Sequence, residues 1–306
     1  MKTKRSQQTS PAWDAWYDSY LNYYQDVEKK AAGTIRDARC TLNRVSWWLH
    51  DQGISERLWQ VSFHTYLAWL EASRRRGMSP RTLGKCISHL NMFLTFSYRS
   101  GRCECNVLKG FRLQDTTRPS KPRWLTVDEA RRLIEACPSS TAEQRRERII
   151  VLLFYGCGVR TKELRFVRLQ DVDHERQELF IQRGKGDRQR TIPIPSGVYT
   201  ELLAYLRERG GQRGFLLRSL LGKQVSTKEL GEVVKAAAKR AGLEEGVTPK
   251  VLRHSFATHL MDRGVDLAVI ASLMGHRSPQ ETGVYLHVLE KDQEAMVEHL
   301  NEGDVA

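Results

Sequence analysis

The 306-residue chain is short of acidic residues, of paired cysteines and of long apolar runs, and each shortage narrows what it can be. Asp and Glu number 36 against 49 Lys and Arg, which leaves a formal charge of +13 and a pI near 9.6. That excess suits a polyanionic partner, with nucleic acid the first candidate, although charge alone does not separate this from a merely basic globular protein. The six cysteines, Cys40, Cys86, Cys103, Cys105, Cys137 and Cys157, lack CxxC spacing, and the CxC at Cys103 and Cys105 has no second pair near it. No metal site is expected from them, and a chain of this size needs no disulfide staples. The longest apolar stretch, 149–159, falls far short of the roughly 20 residues of a membrane span. Residues 1–14 are basic and polar without the apolar centre of a signal peptide, so the expected location is cytoplasmic, and nucleoid-associated if DNA is the partner. A phosphate-binding P-loop, internal repeats and low-complexity tracts are also missing.

What is present divides in two. With 40% hydrophobic residues, the chain can bury a core in each of two ordinary domains. In the first domain, 1–113, the period is helical almost throughout from Pro11 onward, enough for four or five helices, with start signals at Ser10-Pro11, Thr34 and Ser79-Pro80. Trp47, Trp48, Trp59 and Trp69 are expected in the core of these helices rather than as base-stacking platforms. This region carries 18 Lys and Arg against 9 Asp and Glu. Arg74, Arg75 and Arg76, just before Gly77, read as a helix end that grips DNA phosphates or as a solvated helix terminus. The polar, proline-bearing residues 114–123 mark a linker. The second domain, 124–306, opens on a capping box from Thr126 to Glu129 with a helix over 127–137. An apolar helix around 148–155 follows. Strands over 178–183 and 189–194 flank Gly184-Lys185-Gly186-Asp187 as a hairpin, and helices then continue to residue 301.

Three separated stretches of this second domain together resemble one phosphate site. In Gly156-Cys157-Gly158-Val159-Arg160-Thr161-Lys162-Glu163, the glycines permit close backbone approach. Arg160 there begins a helix where amides and a guanidinium face an anion, and Glu163 holds the arginine. Taken alone this is an ordinary surface ion pair. The hairpin tip presents Lys185, with Arg188 and Arg190 entering the return strand as DNA-binding residues. A lysine there can deliver a proton to a leaving oxygen, or the tip is simply a charged turn. In Thr248-Pro249-Lys250-Val251-Leu252-Arg253, Lys250 and Arg253 stand one helical turn apart, then come Gly275-His276 and a short helix carrying Tyr285. A phosphodiester gains negative charge on attack, so two arginines suit it. A phenol nucleophile needs help in losing its proton, from His276 or Lys250, and Lys185 can protonate the departing oxygen. A phosphotyrosyl bond retains the energy of the broken diester, so no nucleotide cofactor is expected.

The motifs GVRTKEL (158–164), RGKGDRQRTIPIP (183–195), LRHSFATHL (252–260), LMGH (273–276) and the step from His276 to Tyr285 resemble the tyrosine recombinases, or phage integrase family, in its Xer-like branch. They span residues 124 to 290 in order and spacing, while the helical first domain is similar to the family's core-binding domain in architecture only. The resemblance implies a mainly α fold with a small antiparallel sheet: a two-domain DNA clamp with a helical core-binding domain and an α+β catalytic domain. It implies a nucleophile at Tyr285, phosphate-binding Arg160 and Arg253, the second histidine at His276, a general acid at Lys185 and a supporting acid at Glu163. Lys250 stands where the family commonly has a histidine. A lysine at this position resembles the poxvirus type IB topoisomerases, which share the catalytic fold, and implies that Lys250 is a cation and hydrogen-bond donor rather than a ready base at neutral pH. The activity implied is site-specific recombination of double-stranded DNA, for integration, excision or resolution, by a homotetramer on paired sites. Helix 290–300 would pack either on a neighbouring subunit or on its own domain. A type IB-like topoisomerase and a catalytically idle DNA-binding protein are the competing readings. His254 and His259 are expected to be structural.

Overall fold

The computed structural model describes residues 9–113, 123–182, 189–211, 213–219, 221–243 and 246–275. The chain divides into two compact units, Met1–Ser120 and Lys121–Ala306. Among the described residues the fold is mainly helical with one three-stranded antiparallel sheet.

The first unit holds α1 (Ala15–Asp26), α2 (Ala32–Asp51), α3 (Phe63–Arg75) and α4 (Pro80–Arg99). Helix α4 begins as its sequence dictates, with Ser79 accepting from the Thr82 amide and Pro80 in the first turn, where its missing N–H costs nothing. Helix α1 begins later than Ser10-Pro11. Ser10 to Trp13 closes a turn instead, and the Asp14 carboxylate caps the Trp16 amide at 2.8 Å. Helix α2 begins before Thr34, so that threonine is interior to its first turn. Tyr17, Tyr20, Tyr66, Trp69 and Phe93 fill the core, and Tyr17 meets Phe93 edge to face at 5.4 Å. Trp48 and Trp69 are buried and Trp59 packs on the same cluster. Trp47 is half-buried with its ring edge on His50.

The second unit is built around α6 (Ala142–Gly156), whose Ile149 to Phe154 are all buried because α5 (Val127–Glu135), α8 (Ser196–Arg209), α9 (Thr227–Arg240) and α10 (Pro249–Met261) pack around it. The Thr126–Glu129 capping box is formed in both directions. A second one, Thr141 with Gln144, starts α6 six residues before the expected 148. Between α6 and the sheet lie the four-residue α7 (Thr161–Leu164) and a 3-10 turn at Leu169–Asp171. Strands β1 (Val172–Asp173), β2 (Glu178–Ile181) and β3 (Arg190–Pro193) pair antiparallel in that order, with Leu179 opposite Ile192 and Ile181 opposite Arg190. Leu179, Ile181 and Ile192 face the core, which sets the register. Helix α11 (Leu267–Met274) packs Ile270 and Met274 onto Ala257 and Met261 of α10.

Candidate active site

Residues from α7, β3 and α10 place four charged side chains, Arg160, Glu163, Arg190 and Arg253, around the C-terminal end of α11. The last carbonyls of a helix have no partner within it and carry its negative dipole end, so they attract cations. Three arginines take three successive ones. Arg190 on β3 donates Nε to the Leu273 oxygen at 2.7 Å. Arg253 on α10 donates Nη2 to the Met274 oxygen. Arg160, at the start of α7, donates Nη2 to the Gly275 oxygen at 2.9 Å. Arg253 also donates Nη1 to the Gly158 oxygen, which ties it to the turn that delivers Arg160.

Glu163 lies at the centre of this cluster, 3% exposed. One oxygen accepts from Arg160 Nη1 at 2.8 Å and Arg190 Nη1 at 3.0 Å. The other accepts from the Arg160 backbone amide at 2.9 Å and Arg190 Nη2 at 2.8 Å. Burial alone pushes this carboxyl up, but the Arg190 fork, followed by the Arg160 amide and guanidinium, outweighs it and holds the group at about 2. It is therefore ionised at any ordinary pH, and it fixes both arginines by charge-assisted bonds.

Two glycines make the geometry possible. Gly158 has φ +58, and a Cβ there would meet the Phe256 ring at 2.4 Å. Gly275 closes α11 in the left-handed conformation at φ 60, and a Cβ there would meet Arg190 Nη1 at 2.9 Å.

The structure brings together Arg160, Glu163 and Arg253, residues far apart in sequence. Arg190, expected to bind DNA, has a side chain 8% exposed that donates to Glu163 and Leu273 inside the protein, where β3 packs beside α11. Lys250 is exposed in the first turn of α10, one turn from buried Arg253. Beside these two, His254 is half-buried, and burial, then the Lys250 and Arg253 charges, push it down to about 4, so it is neutral at pH 7. His259 is buried, with Nε2 against the Leu125 carbonyl at 2.9 Å and Nδ1 against the Tyr155 hydroxyl at 2.8 Å. Since a carbonyl only accepts, Nε2 carries the proton and the ring serves to join α6, α10 and the Leu125 segment. Arg74, Arg75 and Arg76 are exposed at the end of α3, with Arg75 paired to Glu71. Lys185, Arg188, His276, Tyr285 and helix 290–300 lie outside the described residues. The helix-end carbonyls of Leu273 and Met274 have no signal in the sequence, since no side chain encodes them, and Gly275 is their one trace.

An α+β unit whose buried carboxylate and helix end fix three arginines is suited to holding a phosphate. Comparison with known proteins identifies the class. Residues 123–292 match the phage integrase family, and residues 17–101 match the phage integrase N-terminal SAM-like domain. The chain is 34% identical over 281 residues to tyrosine recombinase XerA of Thermococcus kodakarensis, covering 90% of each chain. It is 32% identical over 282 residues to XerA of Pyrococcus furiosus, covering 91% of each. In fold it is similar to the Tn1549 transposon integrase in complex with transposon right end DNA, with TM-score 0.71, 17% identity, and coverage of 92% of this chain and 99% of that one. The chain belongs to the phage integrase family of tyrosine recombinases, in its Xer-like branch. Its activity is site-specific DNA recombination. Among the described residues no helix is long and apolar enough to cross a membrane.

Proposed function

We propose that the chain cleaves and rejoins double-stranded DNA at a specific site, with Tyr285 as nucleophile. The phenolic oxygen bonds to the scissile phosphorus, the bond to the 5′ oxygen breaks, and the strand is held as a 3′-phosphotyrosyl ester. Arg160 and Arg253 bind the phosphate and stabilise the added charge of the transition state. Lys185 protonates the departing oxygen, and His276 or Lys250 assists loss of the phenol proton. Attack by a free strand end on the ester reverses these steps without a cofactor. Residues 1–113 act as the core-binding domain and 124–306 as the catalytic domain, joined by the linker 114–123. The two clamp the duplex, with Arg74, Arg75, Arg76 and Arg188 on its phosphates. Four protomers act on paired sites, with helix 290–300 packed against a neighbour, in a cytoplasmic, nucleoid-associated setting.

The observation that carries this reading is the pair Arg160 and Arg253, held at successive carbonyls of one helix end that leads directly into His276. The test is incubation with DNA carrying short inverted repeats around a spacer, taken from beside the gene, and nicked to trap intermediates. The expected result is a denaturation-resistant protein–DNA adduct that is absent with Tyr285→Phe. An adduct that persists in that variant overturns the assignment. Binding without any adduct, even with Lys250→His, would favour an idle DNA-binding protein.

A further inference from the structure

Glu163 presents an electrostatic problem for a phosphate site. An arginine that binds a phosphate contributes its full charge only if that charge is not already cancelled, yet Arg160 is paired directly with a buried carboxylate at 2.8 Å. As an isolated pair the two would be neutral. Arg190 changes the sum. Its side chain is 8% exposed and grips both oxygens of the same carboxylate, so the trio of two guanidiniums and one carboxylate keeps a net positive charge. Arg190 is itself turned away from solvent, and Arg160, with its side chain 22% exposed, is the member through which that charge is presented. The third Arg190 donor, Nε, holds the Leu273 carbonyl and so leaves the Met274 and Gly275 carbonyls to Arg253 and Arg160.

We propose that Arg190 is a positioning residue for strand cleavage: by taking over the charge of Glu163 and the first free carbonyl of α11, it leaves Arg160 with the positive charge that the transition state requires. The inference rests on the phosphate role given to Arg160 above. A ground-state phosphodiester carries one negative charge and the transition state carries more, so the effect falls on the cleavage step rather than on DNA binding. A purely structural Arg190 makes a different prediction for Glu163. Removing the carboxylate as well would then only add to the damage. If charge balance is what matters, removing both restores an uncancelled Arg160.

The experiment measures single-turnover adduct formation and DNA dissociation constants with the nicked site for the wild type, Arg190→Met, Arg190→Lys, Glu163→Gln and the Glu163→Gln/Arg190→Met double variant. Arg190→Met is expected to cleave slower by on the order of 100-fold, with a dissociation constant within about threefold of wild type. The double variant is expected to recover about tenfold over Arg190→Met, and Arg190→Lys, which keeps the charge and loses the fork, to stay within about tenfold of wild type. A double variant no faster than Arg190→Met, or an Arg190→Met at wild-type rate, overturns the inference. Should Arg190→Met fail to fold, Arg190→Lys decides, and loss of cleavage in that variant while it still binds DNA overturns the inference. A wild type that binds the site but forms no adduct refutes the phosphate-site reading itself, which separates the two failures.

Discussion

Glu163 sits among cations at 3% exposure, and its ionisation should appear in the acid limb of the stability curve. Its folded-state value of about 2 lies below the ordinary 4.5, so the ionised carboxylate contributes stability above about pH 4.5. That contribution, roughly 3 kcal/mol, is lost as pH falls from 4.5 towards 2. Urea melts across this window should show the loss in the wild type. Glu163→Gln should be less stable at neutral pH, because Arg190 is left without its carboxylate. It should also lose less stability than the wild type below pH 4.5, so that the two curves approach each other in acid. A wild-type slope that survives in the variant would assign the acid limb to other carboxylates. The near half of this arrangement is legible in the sequence: Arg160 and Glu163 are three apart at a helix start, where an acid can hold an arginine. The far half is not, because Arg190 is 27 residues away and its sequence neighbourhood reads equally well as a DNA-facing strand.

At the level of elements, α11 acts less through its side chains than through its end. Its last carbonyls collect Arg190, Arg253 and Arg160 in succession, and Gly275, at φ 60, carries no Cβ to meet Arg190. Gly275→Ala is expected to lower adduct formation by about tenfold or more while costing only about 1 kcal/mol of stability for the left-handed backbone. Gly275→Asn tolerates that backbone better and keeps the Cβ, so single-turnover rates and thermal melts of both variants separate the two effects. Equal rate loss in both places the cause at the Arg190 side chain, whereas full activity in Gly275→Asn places it in the backbone. Elements with side-chain caps are legible in the sequence, as with Ser79-Pro80 at α4 and Thr126 with Glu129 at α5. The Thr141–Gln144 box that starts α6 follows the same rule, but the apolar run further along draws the expected start to 148. The two-residue β1 and four-residue α7 have too few positions to establish a period, so packing alone defines them.

For the whole molecule the dominant feature is charge. A net +13 should make DNA binding fall steeply with salt, through release of counterions from each phosphate that the protein neutralises. Replacing Arg74, Arg75 and Arg76 together by Ala should weaken binding to all sequences alike. The slope of log K against log salt should fall by about 0.9 for each phosphate no longer neutralised. Fluorescence anisotropy over a salt series measures this. An unchanged slope means that these exposed arginines form a solvated helix terminus. Cleavage of already bound DNA should be little affected, since the triplet lies in the unit that does not contain Arg160 and Arg253.

By itself the sequence determined the helical character of α1 to α4, the pairing of β2 with β3, and Arg160 with its supporting acid Glu163, because period, caps and motif spacing are properties of short stretches of chain. Its order of motifs also carried the family. Only the tertiary structure decided that Arg190 pairs with Glu163, that Arg253 is buried while Lys250 beside it is exposed, and that His259 ties Leu125 to α10. The physical reason is common to all three. Each depends on a backbone carbonyl, a buried carboxylate or a packed face supplied by a distant part of the chain, and a cation's role is set by what lies opposite it once the chain has folded.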